Sequence, residues 1–340
     1  MRILRQLSEA HGVSGAEGPV RDAVLALIKR HVDEVSTDSI GNILAVKHGT
    51  GSERLRVMVD AHMDEVGLMV TGHTGDGMLR VAAIGGLDDR LLLGMRVLVG
   101  PKALPGVLGG TPVHLASGSS VVSLKEMRVD IGAASKDSAS SKAPIGTRIA
   151  FDTQFMDLGT LVRGRAFDDR VGCAVLVHLL RSGPYPHDLI ASFTVQEEVG
   201  LRGAKVAANA AAPDLAFVLE GTIADDLPKE ADESPTTVLG KGPALSLMDR
   251  STIFDRRLTR YLIDTAEAEG IAVQFKQPGI GGTNAGSIST AGVGVPTAAL
   301  SVPCRYIHSP AALLNKGDYR AAIRLMAAAL EQLDRAVLQR

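Results

Sequence analysis

The strongest constraint on the fold is a change of texture along the chain. Between residues 71 and 157 helical periodicity vanishes, and short β-like runs at 79–81, 96–99, 106–108 and 147–151 alternate with Gly, Pro and Ser. Frequent turn signals between short strands describe a small all-β unit. The flanks read differently. Val20, Val24, Leu27, Ile28 and Val32 fall at helical spacing, and strands follow at 43–46 and 55–59. The second strand is nearly continuous in apolar character, which suits burial on both faces. After Gly164, helices at 171–180, 202–210, 252–269 and 316–338 alternate with strands at 189–195, 215–219, 273–275 and 297–302. Such alternation calls for an α/β architecture, a mostly parallel sheet sandwiched by helices. The β-rich block, residues 71–157, is then an insertion into one domain built from residues 1–70 and 158–340. Within it, the polar segment 133–143 (AASKDSASSKA) is expected as a loop or a short exposed helix.

Composition removes several classes of function. A length of 340 residues supports a large core and two domains. The net charge of -2 provides no field for nucleic acid or an anionic membrane, and 3% aromatics without Trp provide no stacking platform. Cys173 and Cys304 lie far apart with no CxxC spacing, which points to a reducing compartment and away from a thiolate metal site. The first six residues lack the apolar core of a signal peptide, and no apolar run has the length of a membrane span. A cytoplasmic protein is expected.

The chemistry gathers where strands end. Ligands in α/β sheets collect beyond the C-terminal ends of strands. The strand at 55–59 delivers His62 and Asp64, whose i, i+2 spacing aims both the same way if the chain stays extended. Asp168 and Asp169 precede the helix at 171, where they could also serve as caps. The strand at 189–195 ends in the doublet Glu197–Glu198, the strand at 215–219 in Glu220, and the strand at 297–302 leads to Tyr306 and His308. Adjacent carboxylates repel, and desolvating them requires a compensating cation or proton. Two histidines and several carboxylates at the strand ends of one sheet suit a two-metal hydrolytic centre. Mixed N/O ligands suit Zn²⁺, with Co²⁺ and Mn²⁺ as alternatives. In such a centre one carboxylate bridges the ions, a water between them loses its proton near neutral pH, and a nearby base completes its activation. One glutamate of the doublet is then a ligand and its neighbour the base.

With these residues assembled, the chain resembles the tetrahedral-type glutamyl/leucyl aminopeptidases, a family of co-catalytic dinuclear metallopeptidases. The likeness runs through SEAHGVSG at 8–15, DSIGN at 38–42, AHMDEVG at 61–67, AFDDRVG at 166–172, QEEVGLRGA at 196–204, GGTNAG at 281–286 and RYIHSP at 305–310. It implies a zinc-peptidase-like domain with an inserted β-barrel-like dimerisation domain, and dimers assembled into a hollow tetrahedral dodecamer reached by short peptides. By the same resemblance His62 binds one metal and Asp64 orients it, Asp168 bridges both ions across a cis peptide to Asp169, Glu198 and His308 hold the second ion, and Glu197 is the general base. The remaining ligand of the first ion falls on Glu220, where relatives commonly carry Asp; Asp225 and Asp226 are the nearby alternatives. Asn284 stands where Asp is common and receives no metal role; it is expected to shape the substrate pocket, with loops at 248–250 and 279–284 and Arg250, Arg256 or Arg257 in reach.

The implied activity is removal of N-terminal residues from short peptides by a bridging hydroxide. The alternatives are a deacylase, dipeptidase or carboxypeptidase on the same scaffold, or a non-catalytic oligomeric metal-binding scaffold.

Overall fold

The computed structural model describes residues 1–111, 121–228 and 234–339. The chain opens with α1 (Arg2–Glu9) and α2 (Gly18–Ile28), then β1 (Glu34–Thr37), β2 (Ile43–Lys47) and β3 (Arg56–His62). A β-rich block follows: β4 (Gly67–His73), β5 (Leu79–Ile84), β6 (Arg96–Val99), β7 (Leu104–Gly109), β8 (Arg128–Asp130), α3 (Lys136–Lys142) and β9 (Arg148–Phe151). The second half holds β10 (Met156–Leu158), β11 (Leu161–Gly164), α4 (Phe167–Arg181), β12 (Asp188–Thr194), α5 (Arg202–Ala211) and β13 (Leu215–Ile223). It continues through β14 (Ala244–Leu245), α6 (Arg256–Ala268), β15 (Gln274–Phe275), α7 (Ala285–Ser289), β16 (Thr297–Arg305), β17 (Ala312–Asn315) and α8 (Lys316–Gln332).

Eleven strands form the main sheet, ordered β1-β2-β12-β3-β13-β16-β17-β11-β10 with β14 and β15 off the path. Its centre is parallel: β12 with β3, β3 with β13, and β13 with β16. The flanking pairs from β2 outward and from β17 outward are antiparallel. The unbroken apolar runs of the central strands follow from burial on both faces. Val57, Val59 and Ala61 of β3 join α1, α2, α4, α6 and α8 in one core, as do Leu189, Ala191 and Phe193 of β12. Met58, Ile190, Ala216, Val218 and Ala299 point the other way, onto the small residues of α5 and α7. Strands β4-β5-β8-β7-β6-β9 close into a barrel with its own core, including Leu68, Val70, Val97, Leu108, Val129 and Ile149.

Several boundaries differ from the periodicity. Helix α1 escaped the sequence reading because it is one short amphipathic segment, with Ile3, Leu4 and Leu7 buried. Helix α6 starts at Arg256 rather than near 252, because Met248 bridges to Ile253 and Asp255 caps the helix by accepting from the amides of Arg257 and Leu258. The last helix stops at Gln332; Leu333 is extended, and a 3₁₀ turn, Arg335–Leu338, follows. Segment 133–143 contains a helix, α3, capped by Ser135. No helix among the described residues is long and apolar enough to cross a membrane.

Candidate metal centre

Parallel register brings the strand ends level. Thr194 of β12 pairs with His62 of β3, and Val218 of β13 pairs with Asp60, so Glu220 falls beside His62. The fully buried His62 ring has its Nδ1 side against Asp64, 3.2 Å from the main-chain oxygen and 3.4 Å from Oδ1. Its Nε2 faces Asp168 Oδ1 at 3.3 Å, Glu220 Oε2 at 3.6 Å and Glu197 Oε2 at 3.9 Å. The other oxygen of Asp168 lies 3.4 Å from Nε2 of His308, which is 3.2 Å from Glu198 Oε2. Three groups of ligand atoms come within 4.8 Å of one another: His62, Asp168 and Glu220; Asp168, Glu198 and His308; and His62, Glu197 and Glu198.

The local backbone accounts for this convergence. The peptide bond between Asp168 and Asp169 is cis, and both residues have non-helical dihedrals inside the first turn of α4. Their side chains divide. Asp169 accepts from the amides of Gly172 (2.8 Å) and His62 (3.2 Å), a capping task, while Asp168 faces the two imidazoles. Gly221 lets β13 approach: a Cβ there would meet Asp168 Cα at 2.9 Å and Phe167 O at 3.0 Å. Ala166, Gln196, Tyr306 and His308 all adopt left-handed φ, a cluster of strained non-glycine residues around one site. The barrel also takes part, because the Gly86 carbonyl lies 3.1 Å from His308 Nδ1.

The electrostatics are those of a crowded anionic pocket. Burial, opposed by His62 but reinforced by Glu198, Asp168 and Asp64, pushes Glu197 up to about 8. Burial and then Asp169 drive Glu220 well above the carboxylate range. Burial works against charge on His308, yet hydrogen bonds to Asp168 and Glu198 outweigh it and lift the ring to about 11. For Asp168, burial is overcome by the two histidines and the net direction is down. No Lys or Arg among the described residues pairs with Asp168, Glu197, Glu198 or Glu220. Buried oxygens of Glu198 and Glu220 (Oε1 in each) have no hydrogen-bond partner. Orphaned buried oxygens beside imidazole nitrogens fit divalent cations of the zinc type.

Asp225 and Asp226 are engaged elsewhere. Asp225 accepts from the Thr236 amide at 2.5 Å, and Asp226 holds Arg305 at 2.5 and 2.9 Å. Of these three acids, Glu220 is the one at His62. Asn284 braces the sheet: its Nδ2 donates to Asp60 Oδ2 and Thr194 Oγ1, both at 2.8 Å, from a fully buried place. Arg257 is tied to Asp255 and the Leu338 carbonyl, and Arg250 donates to the Gly279 carbonyl. Sequence reading missed the supports Ser14, Glu17, Asn42 and Asp60. Ser14 donates to Asp64 at 2.6 Å, and burial pushes Asp60 up to about 6 against hydrogen bonds from Ser192 and Asn284. Ser14 and Asn42 belong to the motifs at 8–15 and 38–42, whereas Glu17 and Asp60 stand just outside the motifs at 8–15 and 61–67.

A mixed sheet, parallel at its centre and antiparallel at its flanks, with imidazoles and carboxylates at its strand ends and interrupted by a barrel, has the architecture of the zinc-peptidase-like hydrolases. The chain belongs to the M42 glutamyl aminopeptidase family, which residues 41–325 match. It is a metallo-aminopeptidase. It is 33% identical to the glutamyl aminopeptidase of Lactococcus lactis subsp. cremoris over 97% of this chain and 96% of the relative. Its fold is similar to an aminopeptidase of the archaeon Desulfurococcus kamchatkensis, with a TM-score of 0.95 and 35% identity over 99% of this chain and 96% of the other. It is likewise similar to the TET1 peptidase of Pyrococcus horikoshii, with a TM-score of 0.87 and 34% identity over 98% and 99% of the two chains. These relatives do not favour the deacylase, dipeptidase, carboxypeptidase or scaffold alternatives.

Proposed function

We propose that the chain removes N-terminal residues from short peptides at a centre for two divalent ions, zinc foremost and cobalt or manganese next. His62, Asp168 and Glu220 would hold one ion, and Asp168, Glu198 and His308 the other. The observation that carries this reading is Asp168, whose two oxygens are shared between His62 and His308 while the glutamates beside them keep buried, unpartnered oxygens. When bound, the ions supply Lewis acidity, easing deprotonation of a water and polarising the scissile carbonyl. Asp64, through its main-chain oxygen and its carboxylate, accepts a hydrogen bond from Nδ1–H of His62 and so leaves the Nε2 lone pair facing the other carboxylates. Glu197 is the general base: it takes the attacking water's proton and returns it to the leaving amine. The excess of carboxylates favours a substrate with a free, charged α-amine, so N-acetylation should abolish turnover. Glu197→Gln should retain its metals and lose roughly 10²–10⁴ in kcat. Near-normal activity in that variant refutes the role.

The inserted domain, read from sequence as residues 71–157 and holding a barrel whose strands run from Gly67 to Phe151, would mediate dimers that build a dodecamer. In support, TET1 of Pyrococcus horikoshii is described as assembling into a tetrahedron or a large octahedral shell, and the barrel side of this chain exposes Leu91, Val107 and Ile145. Light scattering that finds single chains only would overturn the assembly. Cys173 and Cys304, free and buried, support a reducing, cytoplasmic setting.

A further inference from the structure

We infer that Glu17 and Asn42 are positioning residues for the Glu197–Glu198 pair, a conclusion that rests on the roles proposed for that pair. Strand β12 ends at Thr194, and the next four amides in succession are received by side chains from the N-terminal sequence. Val195 donates to Asn42 Oδ1 at 2.9 Å and Gln196 to Glu17 Oε1 at 3.3 Å. Glu197 donates to Asp64 Oδ1 at 2.9 Å and Glu198 to Asp64 Oδ2 at 3.2 Å. All three acceptors are buried: Asn42 and Asp64 are 0% exposed and Glu17 4%.

Amides beyond a strand end ordinarily turn to water or to local turns. Here each meets a side chain more than a hundred residues away, so the path of the doublet is imposed from outside its own loop. Asn42 fixes the loop at both ends. Its Nδ2 donates to the Gly203 carbonyl at 3.0 Å and to Asp38 Oδ2 at 2.7 Å, which turns its Oδ1 toward Val195. Gly203 makes room for this; a Cβ there would lie 2.4 Å from Asn42 Oδ1. Glu17 secures the strained step before the pair. Its Oε1 also accepts from Gly15 at 2.7 Å, and the Gln196 it receives sits at φ +58°. Releasing either acceptor lets the doublet's backbone rotate, moving base and ligand together relative to Asp168 and the histidines.

The test uses the full-length, zinc-loaded enzyme on a chromogenic aminoacyl substrate, with zinc affinity read separately by chelator competition. Glu17→Ala and Asn42→Ala are expected to lower kcat about 10–100-fold and to weaken zinc roughly tenfold, with KM held within about threefold. Glu17→Gln keeps the acceptor oxygen and should return kcat to within about threefold of the parent. Placed in the Glu197→Gln background at saturating zinc, Glu17→Ala should change the residual rate less than about twofold, because its effect on kcat passes through the base while its effect on Glu198 is read as zinc affinity. The inference is overturned if Glu17→Ala keeps parental kcat and zinc affinity, if Glu17→Gln is as impaired as Glu17→Ala, or if the two losses multiply. If the alanine variants fail to fold, Glu17→Asp, which withdraws the acceptor by one methylene, is judged by the same criteria. Failure of the base assignment shows up separately, as an active Glu197→Gln enzyme.

Discussion

Stripping the proposed ions should make this protein lose stability as the pH rises from about 6 to 9, and Glu197 is one of the buried carboxyls responsible, with Glu198, Glu220 and Asp169 shifted the same way. Its carboxyl moves from an ordinary value of 4.5 to about 8 in the folded, ion-free chain, first through burial. The folded state therefore binds more protons than the unfolded state across that window, and stability falls with rising pH. The contribution is fully present below 4.5 and is lost as pH climbs through about 8. The span from 4.5 to about 8 corresponds to at most about 5 kcal/mol at about 1.36 kcal/mol per pH unit. Between pH 6 and 9 only the part from about 6 to about 8 is lost, about 3 kcal/mol. With an unfolding entropy near 2.1 cal/mol/K per residue, 340 residues give about 0.7 kcal/mol/K, so Tm should drop by roughly 4 °C. His308 acts in the same direction, its contribution complete below 6.5 and lost toward about 11, but it is partly exposed and screened. The assay is calorimetry of chelator-treated protein at pH about 6, 7.5 and 9, beside the zinc-loaded protein and chelated Glu197→Gln. The loaded protein should show no such fall, and the variant, which cannot ionise at this position, a shallower one than the chelated parent. Equal slopes for chelated parent and variant would refute the reasoning.

Glu65 holds Arg165 at 2.6 Å and the fully buried Arg170 at 3.1 Å, so Glu65→Ala leaves two guanidiniums without a carboxylate. A loss of about 3–5 kcal/mol is expected in denaturant melts, and an unchanged midpoint contradicts it. Gly221→Ala drives a methyl against the backbone of Asp168 and Phe167. It should cost about 1–3 kcal/mol and reduce bound metal measured by mass spectrometry. Asp168→Asn keeps one acceptor oxygen where two imidazoles each face one, so metal content should fall at both positions; a full complement argues against the shared carboxylate.

Much of the fold was legible because it is written locally. The apolar run at 55–59 announced a strand buried on both faces and the runs at 189–195 and 215–219 announced further strands, and the structure sends alternate residues of each into two different cores. The loss of helical periodicity after Thr71 marked the barrel, whose strands run from Gly67 to Phe151. Strand order was not legible. Nothing near residue 189 says that β12 inserts between β2 and β3, since that choice depends on the packing of helices from both ends of the chain.

At the site, the sequence by itself determined the inventory: which strands end in His or carboxylate, and that two adjacent glutamates, once desolvated, need a cation or a proton beside them. Tertiary structure decided the assignments. It set Asp168 toward the histidines and Asp169 toward the Gly172 amide, although the two are neighbours of the same type. It gave Asp226 to Arg305 and left Glu220 to His62. It also reached back to Glu17, Asn42 and Asp64 for acceptors that hold the doublet. The physical reason is range. Propensity and periodicity act over a few residues, whereas desolvation and hydrogen bonding between side chains more than a hundred positions apart exist only once the sheet has brought them together.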